Sequence, residues 1–187
     1  MTVKKKNRIT SKRVKKPNER VEIAMDALAQ LKNKIYKAQS GTYVHLPFEL
    51  SGEASAKKTL GCFIDKQNTC KVCAKGALFL STVRKQHESA FSVDDLNDAS
   101  DDPTHLIDHV FEEEQLDLIE SYFEGRDDFD SEYFEDESVI GSEKDEAKLK
   151  HLRRFVNKST SSNTRLVKIL ENMIENDGQF IPEKLKV

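Results

Sequence analysis

The chain has no tryptophan and only three cysteines in 187 residues, and no apolar run approaches the roughly 18 to 20 residues of a membrane span. Each shortage excludes something. Without such a run, no membrane-crossing helix is expected, and the basic N-terminus lacks the apolar centre of a secretory signal. An odd number of cysteines without an export signal argues for reduced thiols rather than a disulfide framework, which points to a cytosolic setting. No glycine-rich phosphate loop, Gly-x-Ser-x-Gly elbow, His-Glu-x-x-His pair or internal repeat occurs, so no standard catalytic class announces itself.

What is present is charge, sorted by sign. The net charge of −3 conceals a basic stretch and an acidic one. Residues 1–16 carry eight cations, Lys4, Lys5, Lys6, Arg8, Lys12, Arg13, Lys15 and Lys16, and no acid, whereas residues 94–148 carry 22 Asp or Glu against three Lys or Arg. The length suits a single core. The expected organisation is a basic N-terminal arm over 1–16 and one globular domain over 17–187, interrupted by an acidic loop at about 126–147 in which Phe129, Tyr133 and Phe134 sit among acids.

Periodicity supplies the elements. Val21, Ala24, Met25, Leu28, Leu31 and Ile35 recur at spacings of three and four, which predicts a helix over 18–37. After Gly41, alternation predicts a strand over 43–48, kept to an edge by Pro47, and TLGCFID predicts a second strand over 59–65. Thr69 is placed to cap a helix over 70–85, with Cys70 and Cys73 in its first turn and Gly76 marking the close approach of another backbone. This should be the most buried helix. Asp102-Pro103 predicts a helix start leading through His105 to Phe111, and a further helix carries the stripe Leu116, Ile119, Tyr122 and Phe123 before Gly125. Helical character returns at AKLKHLRRFV. A last helix carries Leu166, Ile169, Leu170, Met173 and Ile174 and stops at Gly178, with Phe180 folding back on it. The fold class is therefore α+β and mainly helical, with five or six helices and a minimal two-stranded antiparallel sheet.

The pieces CKVCAKGAL at 70–78, EQLDLIESYFEG at 114–125 and RLVKILENMIENDGQFIP at 165–182 together resemble a pattern in uncharacterised small proteins of bacteriophages and bacterial genomes, centred on a Cys-Ala-x-Gly-Ala element. The resemblance implies a phage or prophage origin and a compact helical domain. It brings no functional residues with it.

The stretch CKVCAKGALFLS, residues 70–81, admits three readings. As a zinc site, Cys70 and Cys73 supply a two-residue spacer and Cys62 a third sulfur, with the fourth ligand drawn from His45, His105 or His109; the second paired set that such sites normally show is missing. As a nucleophile, Cys73 at a helix start would need His105 or His109 as a base. As packing, Cys73, Gly76, Ala77 and Leu80 form a tight core seam, the reading that the small apolar neighbours Val72, Ala74 and Ala77 favour. His105 and His109, four apart, otherwise read as solvated side chains among acids. The eight charges of the arm can bind phosphate backbones by counterion release without a folded site, and can equally meet an acidic protein surface or the acidic segment of their own chain. The expected function is thus non-enzymatic: a phage-type accessory or virion-associated binding protein without cofactor, its arm contacting nucleic acid or an acidic partner, its acidic loop open to a protein partner. A thiol- or zinc-dependent enzyme centred on Cys73 is the alternative.

Overall fold

The computed structural model describes residues 18–45, 69–86, 107–125 and 143–185. The arm, the strand expected over 59–65, Cys62, His105 and the acidic loop up to residue 142 lie outside the described residues.

Helix α1 (Glu19–Lys32) starts at Asn18, whose side chain accepts the Val21 N–H at 2.9 Å, and its first turn holds Glu19 and Glu22 at the positive end of the dipole. It buries Val21, Ile23, Ala24, Ala27 and Leu31 but leaves Met25 half exposed. The helix ends earlier than the spacing of Ile35 suggests. Lys34 takes a left-handed conformation, φ 62°, and the chain turns into strand β1 (Tyr36–Ala38). Ile35 and Tyr36, β-branched and aromatic, favour a strand, and the Ile35 carbonyl accepts the Cys70 N–H at 2.7 Å.

That bond belongs to a three-stranded mixed sheet rather than to an antiparallel pair. Strand β2 (Val44–His45) and strand β3 (Cys70–Val72) complete it in the order β1-β3-β2. The central strand β3 runs parallel to β1, with Tyr36 opposite Cys70 and Ala38 opposite Val72, and antiparallel to β2, with Val44 opposite Val72. So Cys70 is not in the first turn of a helix. Nor is Thr69 a helix cap, since its hydroxyl donates to the Lys34 carbonyl at 3.2 Å.

Helix α2 (Ala74–Gln86) follows β3 at once and is buried around its whole circumference from Ala74 to Val83, as expected for the most buried helix. Its polar members are paired inside: the Thr82 hydroxyl donates to the Leu78 carbonyl at 2.8 Å, and the Ser81 and Tyr36 hydroxyls lie 3.5 Å apart. A turn at 107–110 leads to helix α3 (Glu113–Glu124), whose buried stripe is Leu116, Ile119, Tyr122 and Phe123 and which ends at left-handed Gly125, φ 71°. Helix α4 (Glu143–Lys158) packs against α3. Helix α5 (Ser162–Glu175), capped by the Ser161 side chain at the Thr164 N–H, buries Leu166, Ile169, Leu170 and Met173 between α1 and α3. After Gly178 the chain folds back: the Asn172 side chain makes a paired hydrogen bond with the Ile181 backbone, 2.8 and 2.9 Å, and Phe180 is buried edge-on against Tyr122 before a short 3₁₀ turn (Pro182–Lys184). The five described helices and the small sheet share one core. Among the described residues, no helix is long and apolar enough to cross a membrane.

Candidate functional site

The thiol of Cys73 has a job, and it is a local one. Cys73 sits one residue before α2, where its carbonyl accepts the Ala77 N–H at 3.0 Å and its Sγ accepts the Gly76 N–H at 3.4 Å. This is what a serine does at a helix N-cap, carried out by sulfur. The side chain is buried, and burial, offset only in part by the N–H groups of Gly76 and Lys75, pushes its pKa up to about 12, with the carboxylates of Glu120 and Glu124 acting in the same direction. Burial likewise raises Cys70. A nucleophilic cysteine needs the opposite shift and an open approach.

The other thiol and metal candidates are spread apart. His45 is exposed on edge strand β2, opposite Lys71. His109 is exposed on the 107–110 turn and lines an open cleft of about 470 Å³ with Asn18, Arg20, Val110, Glu112 and Asp177. The cation of the cleft is taken up by its own wall, because the Arg20 guanidinium is held by the Val110 carbonyl at 2.5 Å and by Glu112 at 3.3 Å. Among the described residues, no three His, Cys, Asp or Glu side chains stand together as metal ligands.

Gly76 is the point at which the seam closes. The Tyr43 carbonyl accepts the Cys73 N–H at 3.1 Å, and a Cβ on Gly76 would overlap that same carbonyl oxygen. The expected close backbone is thus the chain entering β2. The loop before it is tied to α3: Glu124 accepts the Gly41 N–H at 3.0 Å and the Ser40 hydroxyl. Two residues after the capping Cys73, the nearly buried ammonium of Lys75 lies 2.9 Å from Asp117 and 2.7 Å from Glu120. These contacts lock β2, α2 and α3 together.

The distinctive surface lies elsewhere, on α4. Residues 147–170 contain seven Lys or Arg and no Asp or Glu, a window that reading the chain only for its most extreme charge runs overlooks. Folding sorts that window. Leu152 and Phe155 are buried, Val156 packs on Gly125, and the Phe155 ring stands 5.7 Å from that of Tyr122, with the Lys168 ammonium 5.8 Å from the Phe155 ring centre. His151 is drawn inward too, its Nδ1 3.3 Å from the Tyr122 hydroxyl. The opposite face is left to Lys150, Arg153, Arg154, Asn157 and Lys158, all exposed. Their spacing of i, i+3, i+4, i+7 and i+8 places them on one side of the helix. Among the described residues, no carboxylate lies within ion-pair distance of Lys150, Arg154 or Lys158. On α3 next door, by contrast, Asp117 and Glu120 share the single ammonium of Lys75. Such a face offers guanidinium and ammonium groups to phosphate or carboxylate, with the helix rigidly held behind them.

Compared with known protein families, with curated proteins and with solved structures, the chain gives no match.

Proposed function

We propose that this protein is a non-enzymatic binding protein, of the phage accessory or virion-associated kind, that contacts nucleic acid through two basic surfaces. One is the arm bearing Lys4, Lys5, Lys6, Arg8, Lys12, Arg13, Lys15 and Lys16; the other is the outward face of α4. The observation that carries the reading is that face: four cations on one side of a docked helix, within a 24-residue window free of acids, in a chain whose net charge is negative. The same helix begins with Glu143, Asp145 and Glu146, the last of them four residues before Lys150, so its charge is of one sign only from Lys148 on. A cluster of cations over those last turns suits a polyanion, because each neutralised phosphate releases counterions. The burial of Cys73 turns the balance away from thiol chemistry, and its role as a helix cap explains its place without a reaction. The acidic segment over 126–147 is the natural site for a basic protein partner, and it competes with phosphate for the arm.

The experiment is a titration of labelled DNA and RNA with the full chain at low and moderate salt, alongside a chain in which the eight arm cations are changed to glutamine. Salt-sensitive binding that weakens in the arm variant supports the reading. No binding at low salt overturns it and leaves an acidic protein as the partner.

A further inference from the structure

We infer that the corner between α4 and α5 is a phosphate-binding site that takes a backbone phosphate of the nucleic acid, an inference that rests on the reading above and gives it a folded contact. A helix leaves its first N–H groups without intrahelical partners. At the start of α5 the Ser161 hydroxyl accepts the Thr164 N–H at 3.1 Å and the Ser161 carbonyl accepts the Arg165 N–H at 3.0 Å, while the N–H groups of Ser162 and Asn163 meet no acceptor among the described residues. Two enclosed polar atoms flank this helix end. Ser159, two residues before the cap, is wholly buried with a hydroxyl that has no partner among the described residues, and the Nε of Arg165, one turn inside the helix, is likewise buried and unpaired. Because Cα–Cβ bonds tilt toward a helix's N-terminus, Arg165 leans back over the Ser161–Ser162 end. Enclosed polar groups are almost always satisfied, so a guanidinium nitrogen and a hydroxyl left open at one corner call for an acceptor from outside.

The electrostatics agree. The first turn of α5 holds no acid, and cations stand on both sides of its positive end, Lys158 before it, with no carboxylate of the described residues in ion-pair distance, and Arg165 after it. Cations against the positive end of a helix dipole are unfavourable until an anion comes between them. Glu124, at the neighbouring Ser40–Gly41 turn, is occupied by the Gly41 N–H and the Ser40 hydroxyl. The corner is also held in place, since the Asn163 side chain accepts the Ala38 N–H at 2.9 Å and the Ser161 and Thr164 hydroxyls lie 2.8 Å apart. Helix N-termini and arginine are among the donors by which proteins hold nucleic-acid phosphates.

The test follows the backbone amides of Ser162 and Asn163 by NMR in the full chain, titrated with inorganic phosphate and with a short DNA duplex, and repeats the DNA titration in two variants. Ser162→Pro deletes one N–H at the first helical position, where proline is well tolerated after the extended Ser161, φ −111° and ψ 144°. Arg165→Gln removes the guanidinium. Expected are shifts of both amides with each ligand, and duplex binding about tenfold weaker in Arg165→Gln and severalfold weaker in Ser162→Pro, at unchanged melting temperatures. Should either variant melt early, the amides of the unaltered chain still decide. Amides that DNA leaves unmoved, or full affinity in both variants, overturn the inference and leave the arm's contact with nucleic acid standing. Amides that answer inorganic phosphate in a chain that binds no nucleic acid overturn the nucleic-acid reading itself, and with it the source assigned to the phosphate.

Discussion

Gly76 and Cys73 show how closely the chain's chemistry is matched to one turn of backbone. With the Tyr43 carbonyl against the Gly76 Cα, even one methyl group has nowhere to go, so Gly76→Ala and Gly76→Leu should both lower the melting temperature, the leucine change by about 3 kcal/mol or more. Thermal melting by circular dichroism checks this, and an unchanged midpoint would mean that β2 does not pass there. At Cys73 the cap separates two substitutions that burial alone would rank the other way. Serine keeps an acceptor for the Gly76 N–H, whereas alanine loses it at about 0.5 to 2 kcal/mol, so Cys73→Ser should be the more stable in urea titrations. The thiol also sets a pH dependence. The unfolded chain releases this proton near the ordinary value of 9.0 while the folded chain holds it to about 12, so stability is full below pH 8 and falls as pH rises through that interval, by up to about 1.4 kcal/mol per unit. Cys73→Ser should flatten part of the fall between pH 8.5 and 10, the rest belonging to Cys70, also raised by burial, with Tyr36 and Tyr122 contributing only above pH 10. A slope unchanged by the substitution would place the titration elsewhere.

At the scale of elements, helices α3 and α5 were legible because their apolar stripes run for three turns and end at Gly125 and Gly178, signals that local chemistry alone supplies. Strand β3 was not. Three residues are too few for alternation to show, and Cys70–Val72 is a strand only because Tyr36–Ala38 and Val44–His45 come from elsewhere to pair with it. The same tertiary pull cut α1 short before Ile35. Gly76 was legible as a site of close approach, but its partner was not, since nothing in the residues around 76 names Tyr43. The tie between α2 and α3 is likewise long-range and makes an asymmetric prediction. Removing Lys75 as Lys75→Met leaves two carboxylates that water reaches, Asp117 and Glu120 being 63% and 41% exposed, and should cost about 1 kcal/mol or less. Changing both acids, Asp117→Asn with Glu120→Gln, strands a buried ammonium and should cost about 2 kcal/mol or more by chemical denaturation. Equal losses would show that Lys75 finds water when its partners are gone.

For the whole molecule, the proposed function rests on separation of charge. The candidate interface was readable in outline, as an acid-free window over 147–170, but not as a face: only the docking of Leu152 and Phe155 decides that Lys150, Arg153, Arg154 and Lys158 point the same way. On the proposed reading, the arm and this face act on one polyanion, and the acidic segment opposes both. The measurement that bears most directly on this account is the salt dependence of duplex DNA binding, compared between the full chain and a variant with Lys150, Arg153, Arg154 and Lys158 changed to glutamine. If all twelve cations engage, the logarithm of the binding constant falls against the logarithm of salt with a slope of about −11, and the variant's line is shallower by about 3 to 4. Identical slopes for the two chains would contradict a role for α4, and a slope near zero in both would contradict nucleic-acid binding itself.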